Sequence, residues 1–258
     1  PAGLPSRPML PILFHDEHLV AIHKPSGLLV HRSMLDRHET RFAVQLLRDQ
    51  IGRHVYPAHR IDRGTSGVLL FALDKETARA VGGQFERQEV AKTYLAVVRG
   101  HPDEAGRIDH ALTRQRDDAE WVGERTSEEA QPAVTDFRRL ATCELPHQVD
   151  RYPTSRYALV ELTPHTGRRH QIRRHLKHIA HPIIGDATFG KGRHNRLFQQ
   201  LFNSHRMLLA CARMQLVHPV SGTPLDLIAP LDGEFASVLD ALRWTSTLPE
   251  ALRALRQP

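Results

Sequence analysis

The chain has 258 residues, 40% of them hydrophobic, with 35 Lys and Arg against 29 Asp and Glu for a net charge of +6. That is enough chain to bury a full core, and its apolar runs are strand-sized, so no membrane-spanning helix is expected. Residues 1–7 carry no continuous apolar stretch of the signal-peptide kind, which makes the cytoplasm the expected location. Cys143 and Cys211 are far apart and lack a C-x-x-C partner, which argues against a disulfide framework or a thiolate zinc site, and both read as buried small apolar residues.

Charge is unevenly spread. Five of the 35 basic residues are lysines, and the rest are arginines, whose planar fork suits phosphates and base edges. Residues 151–213 hold twelve Lys and Arg against two acids, Glu161 and Asp186, so the remainder of the chain is net negative. A concentrated basic face and a pI near 9.7 point to a polyanionic partner bound largely through counterion release.

In chain order, residues 1–11 read as a Pro-rich leader. Residues 12–15 and 19–23 alternate around Asp16-Glu17-His18 as two strands, and Lys24-Pro25-Ser26-Gly27 ends the second. Thr40 is placed to cap a helix over 41–51, with Phe42, Leu46 and Leu47 on one face and Gly52 as its stop. A strand is predicted over 66–73, and then a helix capped by Asp74, with Ala78, Val81 and Phe85 at helical spacing.

Residues 93–99 and 108–112 read as strands. The acid-rich segment 115–131 has no apolar period and reads as a mobile insertion, expected outside the footprint of a polyanionic partner because its carboxylates repel phosphate. Strands are expected over 133–140 and 157–162, then a helix from Thr166-Gly167 to about Ile179 that turns Ile172, Leu176 and Ile179 inward. A helix over 195–202 and strands over 207–217 and up to Ile228 follow, and Asp232 caps a final pair of helices within 232–258. Mixed order without βαβ alternation predicts an α+β fold with a mixed, largely antiparallel sheet, in one domain spanning 12–258.

Chemistry gathers in three stretches: His59-Arg60-Ile61-Asp62-Arg63-Gly64-Thr65-Ser66-Gly67, Lys92-Thr93-Tyr94, and 166–175, which is rich in arginine and histidine. Each has an ordinary reading as well, since Asp62 fits a turn or a surface ion pair, Tyr94 a core-edge ring, and the arginines a solvated helix face. His175, His178 and His181 are spaced by three, but no acid or cysteine completes a zinc ligand set. Neither a glycine-rich phosphate loop nor a G-x-S-x-G elbow is present. What remains is cofactor-free chemistry on carboxylate, arginine and tyrosine.

His59-Arg60-Ile61-Asp62 with Thr65-Ser66-Gly67 resembles the signature of the RluA-type pseudouridine synthases, in which the aspartate is catalytic. Lys24-Pro25-Ser26-Gly27, Lys92-x-Tyr94, Thr166-Gly167-Arg168-x-His170-Gln171-Ile172-Arg173 and His181-Pro182-Ile183-Ile184-Gly185-Asp186 fall in that family's order, and the similarity spans about residues 12–230. The segments at 27–33, 131–135 and 151–157 are most similar to the branch that acts on position 65 of tRNA.

The resemblance implies an isomerase that needs no cofactor and takes tRNA as partner, with ribosomal RNA as the alternative substrate. It implies no membrane, no protein partner and a monomer. Asp62 would start the reaction, Arg173 would keep it ionised against desolvation, and Ile172 would line the pocket. Tyr94 would stack on the uracil and assist late proton removal, and Arg60 would fill the gap left by the extruded nucleotide. Arg168, Arg169, His31 and Arg32 are candidate RNA contacts. A non-catalytic RNA-binding or RNA-folding factor is the competing class, and the Asp62, Tyr94 and Arg173 set argues against it.

Overall fold

The structure, a computed structural model, describes residues 9–31, 41–115, 129–231 and 233–255. Strands β1 (Ile12–His15) and β2 (Leu19–Lys24) form the expected antiparallel hairpin. Its turn is held by Asp16, whose Oδ1 accepts from the His18 and Leu19 amides at 2.8 Å. Helix α1 (Ala43–Ile51) starts after extended Phe42 and stops at Gly52 with φ 68°; the expected cap, Thr40, lies outside the described residues. Strands β3 (Tyr56–Pro57) and β4 (Ser66–Ala72) follow. Asp74 then caps α2 (Lys75–Glu86), accepting from the Thr77 amide and hydroxyl.

The middle of the chain supplies β5 (Ala91–Arg99), β6 (Ala105–Asp109), β7 (Leu112–Thr113), β8 (Ala130–Gln131), β9 (Val134–Leu145), β10 (Ser155–Pro164) and α3 (Gln171–His178). The last third adds α4 (Gly192–Phe202), β11 (Leu209–Val217), β12 (Pro224–Ile228), α5 (Gly233–Ala241) and α6 (Glu250–Ala254). Asp232, expected to cap α5, lies outside the described residues.

Ten strands form one mixed sheet in the order β1-β2-β4-β11-β5-β10-β9-β6, with β12 beside β11 and β3 beside β4. Its strand pairs are antiparallel except β4 with β11. At that parallel seam Gly67 has φ 109°, and a Cβ there would stand 2.1 Å from the Cys211 carbonyl oxygen, so only glycine lets the two backbones approach. Alternation along β5 sends Tyr94, Ala96 and Val98 into a core with Ile172 and Leu176 of α3. Leu95 and Val97 go to the opposite face, against Phe198 of α4 and Phe235 of α5.

Several sequence expectations need correction. The predicted strand 108–112 is split between β6 and β7, and β9 runs five residues past the predicted end at 140. Strand β7, just before the insertion, pairs with β8 at its end as a separate ribbon, and residues 116–128 lie outside the described set. Cys143 is half-buried, whereas Cys211 is fully buried. Helix α3 begins at Gln171 rather than Thr166, because His170 holds φ 54° and breaks the helical path. Residues 166–170 instead wrap around the buried Gln171 amide. Its Oε1 accepts from Thr166 Oγ1 and the Arg168 amide, while its Nε2 donates to the Val134 carbonyl and Thr135 Oγ1.

Candidate active site

Asp62 lies in the turn between β3 and β4, where its carbonyl accepts from the Thr65 amide at 3.0 Å. Helix α3 brings Arg173 to it across 111 residues of sequence, and Nη1 donates to Asp62 Oδ2 at 3.0 Å. This is the pair expected from the sequence, but Arg173 is shared. Its Nε and Nη2 donate to Oδ2 and Oδ1 of Asp186 at 2.7 and 2.9 Å, and Asp186 is 1% exposed. Asp186 Oδ1 also accepts from the Thr188 and Phe189 amides, which fold the loop after it into a cap.

Burial raises the pKa of Asp186, but the Arg173 hydrogen bond and the two amides outweigh it, so the carboxyl sits below its ordinary value. For Arg173, burial pulls down while Asp186 and Asp62 push up, and the net shift is upward. The Phe189 ring closes the other side, with its centroid 5.0 Å from the guanidinium carbon. Two carboxylates, two amides and an aromatic face therefore hold one arginine in one orientation.

Lys24 anchors the turn from below. It is fully buried, and Nζ donates to the carbonyls of Leu28, Pro25 and Arg63 at 2.7, 2.9 and 3.2 Å. Ser26 Oγ donates to the Gly64 carbonyl, so the Lys24-Pro25-Ser26-Gly27 loop is stapled to the turn that carries Asp62. Burial foremost, with the Arg206 charge, pushes the Lys24 ammonium down to about 7, against the pull of Asp62. Arg63, which flanks Asp62 in sequence, donates through Nε to the Gly27 carbonyl. His59 accepts from the Leu70 amide at 3.1 Å and stacks on Phe85, a supporting role for the strand entrance.

Two adjoining hollows meet at Asp62. The larger, about 1060 Å³, is lined by Arg169, Arg174 and Arg206, and the smaller, about 720 Å³, by Tyr94, Ile172 and Thr65. Both share His31, Arg60, Arg168, His170 and Arg173. Every site residue predicted from the sequence thus lines one hollow or both, except Arg32, which lies outside the described residues. The terminal residues of the insertion, Gln115 and Gln131, also line the larger hollow with the preceding Thr113 and Arg114, while the acids at 117–128, expected to stand outside the RNA footprint, lie outside the described residues.

Tyr94 sits across the β5–β11 pair from Cys211 and is 9% exposed. Burial above all, then Cys211 and Asp62, drive its phenol well above the ordinary range, so it stays protonated and offers a ring and a hydroxyl rather than a phenolate. The three spaced histidines are spent in packing. His175 bonds Thr135 Oγ1 and the His110 carbonyl, His178 stacks on His110 at 3.7 Å, and His181 bonds the Arg99 carbonyl.

Sequence reasoning gave no role to Asp186, Lys24 or His170, although each lies inside a motif it singled out. A buried lysine beside Pro-x-Gly and an acid stranded in a basic stretch were the available signals.

A turn aspartate gripped by a helix arginine at the floor of an arginine-lined cleft, on a mixed sheet of this order, fits an RNA-modifying isomerase of the pseudouridine synthase type. The human RNA pseudouridylate synthase domain containing 4 has a similar structure, with TM-score 0.67 and 29% identity, covering 90% of this chain and 93% of that one. The human domain containing 1 shares the fold, with TM-score 0.65 over 91% of this chain and 94% of that one at 24% identity. Residues 18–178 match the RNA pseudouridylate synthase family, and the chain belongs to it. A relative from Pectobacterium carotovorum subsp. carotovorum, tRNA pseudouridine synthase C, is 52% identical over 94% of this chain, which spans 64% of that protein's length. The Vibrio vulnificus (strain CMCP6) protein of the same name is 47% identical over 93% of this chain and 98% of its own.

Proposed function

We propose that this chain converts one uridine of tRNA to pseudouridine, at position 65 in the T stem, with Asp62 as the catalytic carboxylate. The tRNA reading rests on relatives named tRNA pseudouridine synthase C at 46–52% identity, several aligned over nearly their whole length. The observation that carries the catalytic reading is the Asp62–Arg173 contact at 3.0 Å where the two hollows meet.

The reaction breaks the N1–C1′ bond, turns the uracil and forms a C5–C1′ bond, with the C5 proton lost and N1 protonated. Addition at C1′, addition at C6 and removal of a sugar proton are the three ways to begin it, and all three call for the same ionised carboxylate. Arg173 holds the carboxylate in place through Asp62 Oδ2 and leaves Oδ1 to react. Tyr94 and Ile172 form the walls on which the uracil packs. A stem uridine must be unpaired and flipped, at a cost of a few kcal/mol, and Arg60, exposed at the rim of both hollows, fills the vacated stack. Arg168, Arg169 and Arg174 supply the phosphate contacts that offset that cost.

Carbodiimide mapping of pseudouridine in total tRNA and rRNA, with and without the gene, tests the assignment. Loss of one tRNA signal at position 65 is expected. An intact tRNA map with a missing rRNA signal would move the target to the ribosome.

A further inference from the structure

His170 stands beside Asp62 and makes no direct hydrogen bond to it. It opens α3 in the left-handed region, which non-glycine residues seldom hold and which recurs at functional sites. Its Nδ1 lies 3.0 Å from Gln115 Oε1, and with the amide oxygen turned to the ring, the tautomer that completes this bond carries its proton on Nδ1. In the neutral ring Nε2 is then an acceptor. Burial is the main cause that holds the imidazole below its ordinary pKa, with Asp62 opposing and Arg173 and Arg169 reinforcing, which favours that neutral form.

Nε2 faces Asp62 Oδ1 at 3.9 Å, and Oδ1 is the oxygen that Arg173 leaves untouched. Among the described residues no donor reaches either atom. Two lone-pair acceptors this close repel unless a donor enters between them. A uridine inside an RNA chain has two donors, uracil N3–H and the ribose 2′-hydroxyl, because its 3′ and 5′ oxygens are esterified. N3 lies across the ring from C6, whereas the 2′-hydroxyl is two bonds from C1′, and Asp62 must reach C1′, C2′ or C6 to begin the reaction.

We propose that the gap between His170 Nε2 and Asp62 Oδ1 is the subsite of the target nucleotide's 2′-hydroxyl, and that His170 is the residue that makes the enzyme require ribose there. This rests on the reading of Asp62 as the catalytic carboxylate. A hydroxyl that gives its proton to Nε2 leaves Oδ1 unbonded and sets C1′ beside it. The Gln115 bond fixes the ring for this task, which gives the start of the insertion a positioning role.

The test is a four-rate cycle under single-turnover conditions. Wild type and His170→Asn are compared on tRNA carrying uridine or 2′-deoxyuridine at the modified position. Asparagine tolerates the left-handed backbone, and its side chain is too short to span the gap. The deoxy substitution is expected to slow wild type about tenfold, the worth of one hydrogen bond. In His170→Asn the same substitution should cost less than about twofold. Equal deoxy penalties in both proteins would overturn the proposal. His170→Gly, which meets the backbone requirement without strain, repeats the cycle if the asparagine variant does not fold. If Asp62→Ala still turned over tRNA, the catalytic reading would fail. If Asp62→Ala is inactive and the cycle shows no coupling, only this subsite fails.

Discussion

Two of the arginine-carboxylate-histidine clusters among the described residues, one around Asp150 and one around Asp62, differ in what they leave undone. Arg99, Asp150 and His194 close on one another: Arg99 donates to His194 Nε2 at 3.1 Å and to Asp150 Oδ2 at 3.3 Å, and the other histidine nitrogen bonds buried Tyr157 at 2.7 Å. At Asp62, by contrast, Arg173 takes one carboxylate oxygen, and His170 stops 3.9 Å short of the other. In the first cluster both histidine nitrogens are already engaged. The second keeps an acceptor pair open onto a cleft, so an unfinished interaction, rather than a buried ion pair as such, marks the chemistry.

Substitutions on the two sides should separate accordingly. Arg173→Met is expected to cut turnover by about a hundredfold or more, because Asp62 loses its partner. It also strands Asp186 as a buried charge, a destabilisation of about 3–5 kcal/mol that a thermal melt reads directly. Turnover and melting temperature equal to wild type would show that the guanidinium is dispensable.

Asp186→Asn should cost turnover about tenfold, with KM little changed, since it frees Arg173 to swing onto both oxygens of Asp62. Its stability carries a pH signature. The folded pKa of Asp186 is depressed, so its contribution is complete above the ordinary carboxylate value and is lost as pH falls through the folded one. The melting temperature of Asp186→Asn should therefore lie below wild type at pH 7 and converge with it below about pH 4. A constant difference across that range would remove the charge from the explanation.

Tyr157→Phe belongs to the closed cluster. It leaves a buried His194 nitrogen without its partner, costing about 1–3 kcal/mol. At roughly 2–4 °C per kcal/mol for a chain of this size, the melt should shift visibly while turnover stays at the wild-type rate. A rate loss without a stability loss would mean that the two clusters communicate.

Much of this was legible in the chain because the relevant physics is local. Asp74 and Gly52 marked helix ends by capping, alternation marked the strands, and the motif around Asp62 placed a carboxylate at a strand entrance. What escaped was tertiary. Nothing local reveals that Gly67 must meet the Cys211 backbone, or that Lys24 is swallowed by three carbonyls. Asp186 lay in a recognised motif, but its hold on Arg173 spans 13 residues and a loop turned by the Thr188 and Phe189 amides. The start of α3 was misplaced for the same reason, since His170 adopts its left-handed backbone where the chain wraps Gln171.

The most direct measurement is tritium release from tRNA tritiated at uridine C5, run side by side with wild type, Asp62→Ala and Asp150→Asn. C5 loses its hydrogen only when the new bond to C1′ is completed, so release reports the reaction itself. Asp62→Ala should release nothing above background while still binding tRNA and folding, and Asp150→Asn should release tritium at the wild-type rate. Release by Asp62→Ala at a rate near wild type would contradict the assignment of Asp62 as the catalytic carboxylate.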